Sequence, residues 1–113
     1  MSKRSINLLI DDIREAIDKI ERYIEGMSKD SFESDEKTND AVVRNLEIIG
    51  EAANRLPKDF IEKHSEIEWN KIVGLRHRIV HEYFGVDLSI IWQILENDIP
   101  PFKYSLEKIR SRK

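Results

Sequence analysis

The sequence predicts an all-α fold, an antiparallel four-helix bundle with one additional short helix. Apolar residues recur at alternating spacings of four and three along several segments, which is the pattern of helices that each bury one stripe. The composition agrees, because 40% of the residues are hydrophobic, 36% are charged, and the 113 residues include only 4 glycines and 3 prolines. A chain of this length is expected to form a single helical domain over residues 1–113.

The first helix is predicted from about Ser5 to Met27. Its apolar seam consists of Ile6, Ile10, Ile13, Ile17, Ile20, Ile24 and Met27. The polar connector that follows, residues 27–40, contains one large apolar residue, Phe32, and is expected to form one helical turn around that anchor.

The second helix carries a seam of the same kind, and Pro57 ends it because the residue before a proline avoids the α region. The seam residues are Val42, Leu46, Ile49, Ala53 and Leu56. A short amphipathic piece with Phe60 and Ile61 comes next. Ser65 and Glu68 then have the spacing of a capping box, so a third long helix is predicted to begin near Glu66.

The third long helix is expected to continue to Tyr83, with Gly85 as a left-handed terminator and Asp87 as the N-cap of the last helix. The last helix keeps one heptad phase across Pro100 and Pro101. Its seam residues are Leu88, Trp92, Leu95, Ile99, Phe102, Leu106 and Ile109. Two prolines remove two backbone donors, so a kink or break is expected there with the same face still inward.

Composition also limits the kind of protein this is. The absence of cysteine excludes disulfides and thiolate sites. Acidic residues interrupt the N-terminal apolar residues too early for a secretory signal, and no run approaches the roughly 18 apolar residues of a membrane span. We therefore expect a soluble, cytoplasmic protein with no membrane association. The net charge of −3 disfavours a broad electrostatic grip on nucleic acid, so phosphate chemistry must be local.

The stretch GLRHRIVHEYFGVD, residues 74–87, combines cations, histidines and a tyrosine with core-type residues. On a continuous helix Arg76 and Tyr83 would lie within roughly 20° of one another, but Arg76 and His81 about 140° apart. A second copy of the helix across a two-fold axis would place two arginines and two histidines around one cleft. We therefore expect a homodimer.

Arginine and histidine together suffice for metal-free cleavage of RNA. Arg76 offers a planar, permanently charged fork to a phosphate, and His81 can take and give a proton near neutrality. The spacing alone is also compatible with a structural role. His77 and His81 have the i, i+4 spacing of metal ligands, but no third ligand is evident, so neither a metal nor another cofactor is expected.

The segment RHRIVHEYFGVD, residues 76–87, resembles the R-x4-H-x-Y signature of the HepT-like proteins of the HEPN superfamily. AVVRNLEIIGEAANRL, residues 41–56, resembles the second-helix stretch of that family, and the likeness covers nearly the entire chain. The resemblance implies an all-helical, dimeric ribonuclease, the toxin of a type VII-like toxin–antitoxin system. It also implies RNA as substrate and an MntA-type minimal nucleotidyltransferase as the antitoxin partner.

The resemblance also assigns roles to individual residues. Arg76 and His81 match the catalytic pair, His77 matches the polar residue after the arginine, and Tyr83 matches the tyrosine to which the antitoxin transfers AMP. An adenylylated tyrosine would add bulk and negative charge where the RNA phosphate must lie. Two alternatives remain open. One is a non-catalytic nucleotide- or substrate-binding partner of a nucleotidyltransferase, with Arg76 and Tyr83 holding the nucleotide, and the other is a structural helical adaptor.

Overall fold

The computed structural model describes residues 4–81 and 85–111 of the chain, in an arrangement dominated by helices. The α-helices are α1 (Ile6–Ile24), α2 (Lys29–Ser34), α3 (Glu36–Asn54), α4 (Lys58–Lys63), α5 (Trp69–Val73), α6 (Leu75–Ile79), α7 (Leu88–Gln93) and α8 (Ile99–Ser111). A π-helical segment (Ile94–Asp98) joins α7 to α8, and the two-residue strands β1 (Val80–His81) and β2 (Gly85–Val86) pair antiparallel. The all-α prediction is confirmed. No helix within the described ranges combines the length and apolar character that crossing a membrane requires.

The long helices α1 and α3 pack side by side and bury the two seams that the sequence predicts. Fully buried residues of this pair are Ile13, Ile17, Ile20, Val42, Leu46 and Ile49. The hydroxyl of Ser5 caps α1 by accepting the N–H of Leu8 at 3.2 Å. The helix ends at Ile24, before the predicted Met27, because Gly26 adopts a left-handed φ of 78°.

The connector after α1 is more helical than predicted. Phe32 is fully buried on α2 and packs against Trp92, with ring centroids 5.2 Å apart, so its expected role as an anchor is confirmed. The helix α3 begins at Glu36, inside the stretch predicted as connector. Its start is set by Asp35, whose carboxylate accepts the N–H of Thr38 at 3.0 Å.

The continuous helix predicted from Glu66 to Tyr83 is wrong. Two five-residue helices, α5 and α6, meet at Gly74, and α6 ends at Ile79. We call residues 69–81 the motif segment. The carbonyl of Ile79 accepts the N–H of Asp87 at 3.3 Å, next to the pairing of β1 with β2. Gly85 therefore does not terminate the helix; it lies in β2 opposite His81.

The predicted capping box of Ser65 and Glu68 is also wrong. Glu68 immediately precedes α5, but its side chain makes no capping hydrogen bond. The buried ring of Trp69 decides the local structure, because its indole N–H donates to the carbonyl of His64 at 3.0 Å. Burial of this indole stabilises a turn through residues 64–68 where the capping pattern predicts helix.

The last helix follows the prediction closely. Asp87 caps α7 by accepting the N–H groups of Ser89 and Ile90, as expected. The helix is interrupted just before Pro100 and Pro101 by the π-helical segment. Neither proline can donate to the preceding turn, and the wider π turn accommodates the loss. The inward seam survives, because Trp92, Leu95, Ile99, Phe102 and Leu106 are all buried.

Candidate functional site

A cleft of about 730 Å³ opens between the beginning of α1, one face of α3 and the motif segment. This volume falls in the range of about 300 to 1,000 Å³ that is typical of small-molecule sites. The cleft is rich in charge, with arginines slightly outnumbering carboxylates. The charged lining residues are Arg4, Arg44, Arg55 and Arg76 together with Asp12, Glu47 and Glu51.

The helix α6 brings Arg76 and His77 to this cleft. Leu75 and Ile79 are fully buried, and they fix the short helix against the core. The residues between them face outward, and Arg76 and His77 are both exposed and both line the cleft. The structure therefore brings together two of the residues that the sequence predicts as functional, the candidate catalytic arginine and the supporting histidine.

Neighbouring cations in the sequence have different surroundings in the fold. Arg78 forms an ion pair with Asp98 of the π-helical segment, whose side chain is only 12% exposed. Lys71 pairs with Glu68 at 3.4 Å and lies away from the cleft. The cationic cluster of the sequence thus separates into a residue facing the cleft, Arg76, and two residues engaged elsewhere.

The placement of the two remaining predicted residues is known in part. The backbone of His81 lies in β1, after the end of α6, and its side chain is outside the described part of the structure. The helical angle of about 140° between Arg76 and His81 therefore does not apply. Tyr83 lies outside the described residues. Joint action of Arg76 and His81, the AMP-acceptor role of Tyr83, and the homodimer all remain predictions.

Ion pairs within the cleft distinguish its arginines. Arg4 binds Asp12 through two hydrogen bonds of 2.6 and 2.9 Å, and this hydrogen-bonded carboxylate raises the pKa of Arg4 above its ordinary value. Arg55 pairs with Glu51 at 3.2 Å. Within residues 4–81 and 85–111, no ion pair joins Arg44 or Arg76 to a carboxylate.

Our sequence reasoning missed the contribution of α3 to this site. It followed the apolar seam of the helix and assigned no function to the opposite face. A usable signal is the polar stripe at Arg44, Glu47, Glu51 and Arg55, whose spacings of three and four place these residues on one side of α3. The structure places that stripe in the wall of the cleft.

The other histidine of the described segments is structural. His64 packs against the ring of Phe60 with centroids 4.6 Å apart, and it does not line the cleft. Among the described side chains, no group of three or more His, Asp or Glu residues is placed to hold a metal ion.

Comparison with known proteins gives a consistent result. The family model described as "Ribonuclease HepT-like" matches residues 13–109. A protein of Thermococcus cleftensis named "Probable ribonuclease HepT" is 43% identical over 108 residues, which cover 96% of this chain and 98% of that protein. A "Putative RNase" of Caldanaerobacter subterraneus is 46% identical over 90 residues, or 80% of each chain. No solved structure matches the chain significantly.

Proposed function

The chain belongs to the HepT-like ribonuclease family, and we propose that it is a metal-independent endoribonuclease of the cytoplasm, the toxin component of a type VII-like toxin–antitoxin system. The observation that carries this proposal is the position of Arg76. It is exposed, it lines a cleft of nucleotide size, and no carboxylate of the described residues neutralises it. The names of the relatives support the same activity.

The proposed reaction uses the 2′-hydroxyl of RNA as the nucleophile. His81 removes the proton of that hydroxyl, or protonates the leaving 5′-oxygen, as the 2′-oxygen attacks the adjacent phosphorus and the bond to the 5′-oxygen breaks. Arg76 donates two hydrogen bonds to the phosphate and stabilises the charge that grows on it. His77, next to Arg76 in the cleft, is a supporting donor to the same phosphate.

The test is RNA cleavage by purified protein in the presence of EDTA. Arg76→Ala and His81→Ala should each lower the rate by at least about a hundredfold, because each removes a group that acts on the transition state. Arg22→Ala is the matched control, since Arg22 is exposed on α1 and does not line the cleft. Circular dichroism should show unchanged helix content in all three variants. Full cleavage by either Arg76→Ala or His81→Ala contradicts the assignment.

We further propose that the active form is a homodimer whose two-fold axis brings two copies of Arg76 and His81 to one composite cleft. An exposed apolar side chain near the beginning of α1 supports it, Leu8 with 45% exposure. Sedimentation equilibrium should give twice the chain mass. A wild type that sediments as a monomer contradicts the dimer proposal.

Regulation is proposed to act through Tyr83, which receives AMP from an MntA-type nucleotidyltransferase. An unperturbed tyrosine hydroxyl loses its proton only near pH 10, so a tyrosine is a poorer base than an imidazole and a better site of modification. Tyr83→Phe should keep most of the cleavage activity but resist silencing by the partner with ATP. Mass spectrometry should find added AMP on the wild-type peptide and none on the variant. Equal silencing of both proteins contradicts the switch.

A second candidate function is a non-catalytic, nucleotide-binding partner of a nucleotidyltransferase. The cleft volume of about 730 Å³ favours it, because a space of that size accepts a mononucleotide. On this hypothesis the purified chain binds AMP or ATP in calorimetry, loses that binding in Arg76→Ala, and does not cleave RNA with or without its partner.

A further inference from the structure

We propose that Arg44, on the α3 wall of the cleft, is a second phosphate-binding residue. It binds a phosphate of the RNA strand other than the one at the bond that is cut. The inference rests on the proposed ribonuclease function, and it concerns how substrate is bound before cleavage. Arg44 lies outside the R-x4-H segment, more than thirty residues earlier in the chain, yet the fold brings it to the same cleft as Arg76.

Arg44 lies on the face of α3 that lines the cleft. Arg44, Ile48, Glu51 and Arg55 follow one another at one-turn intervals along α3, so they form a single stripe, and all four line the cleft. The opposite face of α3 is packed against α1 and is fully occupied by the core. The side chains of Arg44 and Ile48 are exposed on this stripe, so they are available to a ligand in the cleft.

The arginines of the cleft differ in whether a carboxylate pairs with them. The guanidiniums of Arg4 and Arg55 are already engaged by Asp12 and Glu51. Arg44 is exposed, and among the described residues no ion pair links it to a carboxylate, not even to Glu47 one turn away. An unpaired guanidinium retains its full capacity for two parallel hydrogen bonds to a phosphate.

The size of the cleft and its two arginines, Arg44 and Arg76, fit an RNA strand with more than one phosphate. A single phosphate needs one such arginine, whereas Arg44 and Arg76 stand on different walls of a cleft far larger than a phosphate. Glu47 lies on the same wall as Arg44 and repels phosphate. It therefore favours phosphate positions at Arg44 and Arg76, which form no ion pair with a carboxylate of the described residues. Ile48, 37% exposed beside Arg44, offers an apolar surface to a ribose or base between those positions.

This local arrangement explains how an acidic protein binds a polyanion. The net charge of −3 provides no general attraction to RNA. Arg44 and Arg76, which form no ion pair within residues 4–81 and 85–111, supply that attraction locally. Each phosphate neutralised adds a measurable salt dependence, about 0.7 to the slope of log affinity against log salt for a single strand. Removal of Arg44 should therefore change both the affinity and that slope.

The experiment measures binding separately from cleavage. A fluorescein-labelled, short, single-stranded RNA carrying 2′-O-methyl groups has no nucleophilic hydroxyl, so it binds but is not cut. Its affinity is measured by fluorescence anisotropy over a series of salt concentrations for the wild type, Arg44→Gln, Arg55→Gln and Arg22→Gln. Arg55→Gln is the paired residue of the same stripe, and Arg22→Gln lies on α1 outside the cleft.

Arg44→Gln should weaken binding about tenfold and lower the salt slope by about 0.7, since it removes one charged contact to phosphate. Arg55→Gln should shift affinity less, and Arg22→Gln not at all. With cleavable RNA, Arg44→Gln should raise KM about tenfold while kcat stays within about twofold.

Three results would overturn the inference. They are a wild type that does not bind the RNA, equal weakening by Arg44→Gln and Arg55→Gln, and a loss of dimer mass in Arg44→Gln with RNA affinity intact, which would make the stripe a contact between copies. Retained, Arg44-dependent binding together with no cleavage of unmodified RNA would instead reject the ribonuclease function and leave the binding site standing.

Discussion

The α1–α3 pair and the motif segment, residues 69–81, both contribute walls of the cleft, and they are built in different ways. The pair consists of two helices of 19 residues whose apolar seams are fully buried. The motif segment contains two helices of five residues and then a short strand. It is fixed by a few buried side chains, among them Trp69, Leu75 and Ile79.

The stability of the fold and the proposed chemistry therefore depend on different parts of the chain. Long helices gain their stability from continuous seams, whereas a five-residue helix is too short to be stable alone and depends on tertiary contacts. A segment held at a few points can leave its helical path, and here it does so immediately before His81. Arg76, the proposed catalytic arginine, thus lies on the less regular wall.

The largest expected effect comes from breaking the α1–α3 pair. Leu46 has no exposed surface, and Leu46→Ala should lower the free energy of unfolding by about 3 kcal/mol through lost burial and a residual cavity. Chemical denaturation followed by circular dichroism measures this change. Ile48→Ala, on the exposed face of the same helix, is the control and should change stability by less than about 1 kcal/mol. Similar losses in both variants would contradict the assignment of the core face.

A second prediction separates the two arginines of α6. Arg78→Ala leaves the largely buried carboxylate of Asp98 without its partner and should cost about 2 kcal/mol of unfolding free energy. Arg76→Ala removes an exposed side chain that forms no ion pair with any described residue, and it should cost less than about 0.5 kcal/mol. Denaturation measures both values, and cleavage should show the reverse order, with the larger loss in Arg76→Ala. Equal stability losses would show that Arg76 also has a structural role.

The α1–α3 pair and the last helix could be predicted from the sequence, because their apolar residues recur at helical spacings. The seams of α1, α3 and the last helix, the buried anchor Phe32 and the Asp87 cap all follow from spacing or capping chemistry and are confirmed. The early start of α3 at Asp35 was missed because polar residues conceal it. A capping aspartate three residues before Thr38 was the available signal.

The motif segment could not be predicted in the same way, because long-range contacts override its local pattern. The indole N–H of Trp69 donates to the carbonyl of His64, in a turn where the capping pattern predicts helix. The backbone N–H of Asp87 donates to the carbonyl of Ile79. Neither partner can be read from helical spacing. The site was predicted in part, since Arg76 and His77 do reach the cleft, but the α3 wall with Arg44 was found only from the fold.

A small effect on stability is also expected where α3 meets the motif segment, at Gly50. A Cβ atom at this position would lie 3.3 Å from the carbonyl oxygen of Ile72 at the end of α5, so the motif segment must shift by a few tenths of an ångström. Alanine also favours the helix by about 1 kcal/mol over glycine, which offsets the crowding. Gly50→Ala should therefore change the free energy of unfolding by less than about 1 kcal/mol.

Its effect on cleavage should be clearer than its effect on stability. Because α5 and α6 meet at Gly74, a shift of α5 should also shift α6. Arg76 should then move relative to Arg44 on α3. Misplacement of catalytic groups by about 1 Å can cost a hundredfold in rate, so a smaller shift should lower kcat/KM by a few-fold. Gly26→Ala is a useful contrast, because Gly26 has a φ of 78° and lies far from the cleft lining. Gly26→Ala should lose stability and keep kcat/KM. Gly50→Ala should keep its stability and lose kcat/KM. If Gly50→Ala cleaves RNA as fast as the wild type, the spacing of the two walls does not control the position of Arg76.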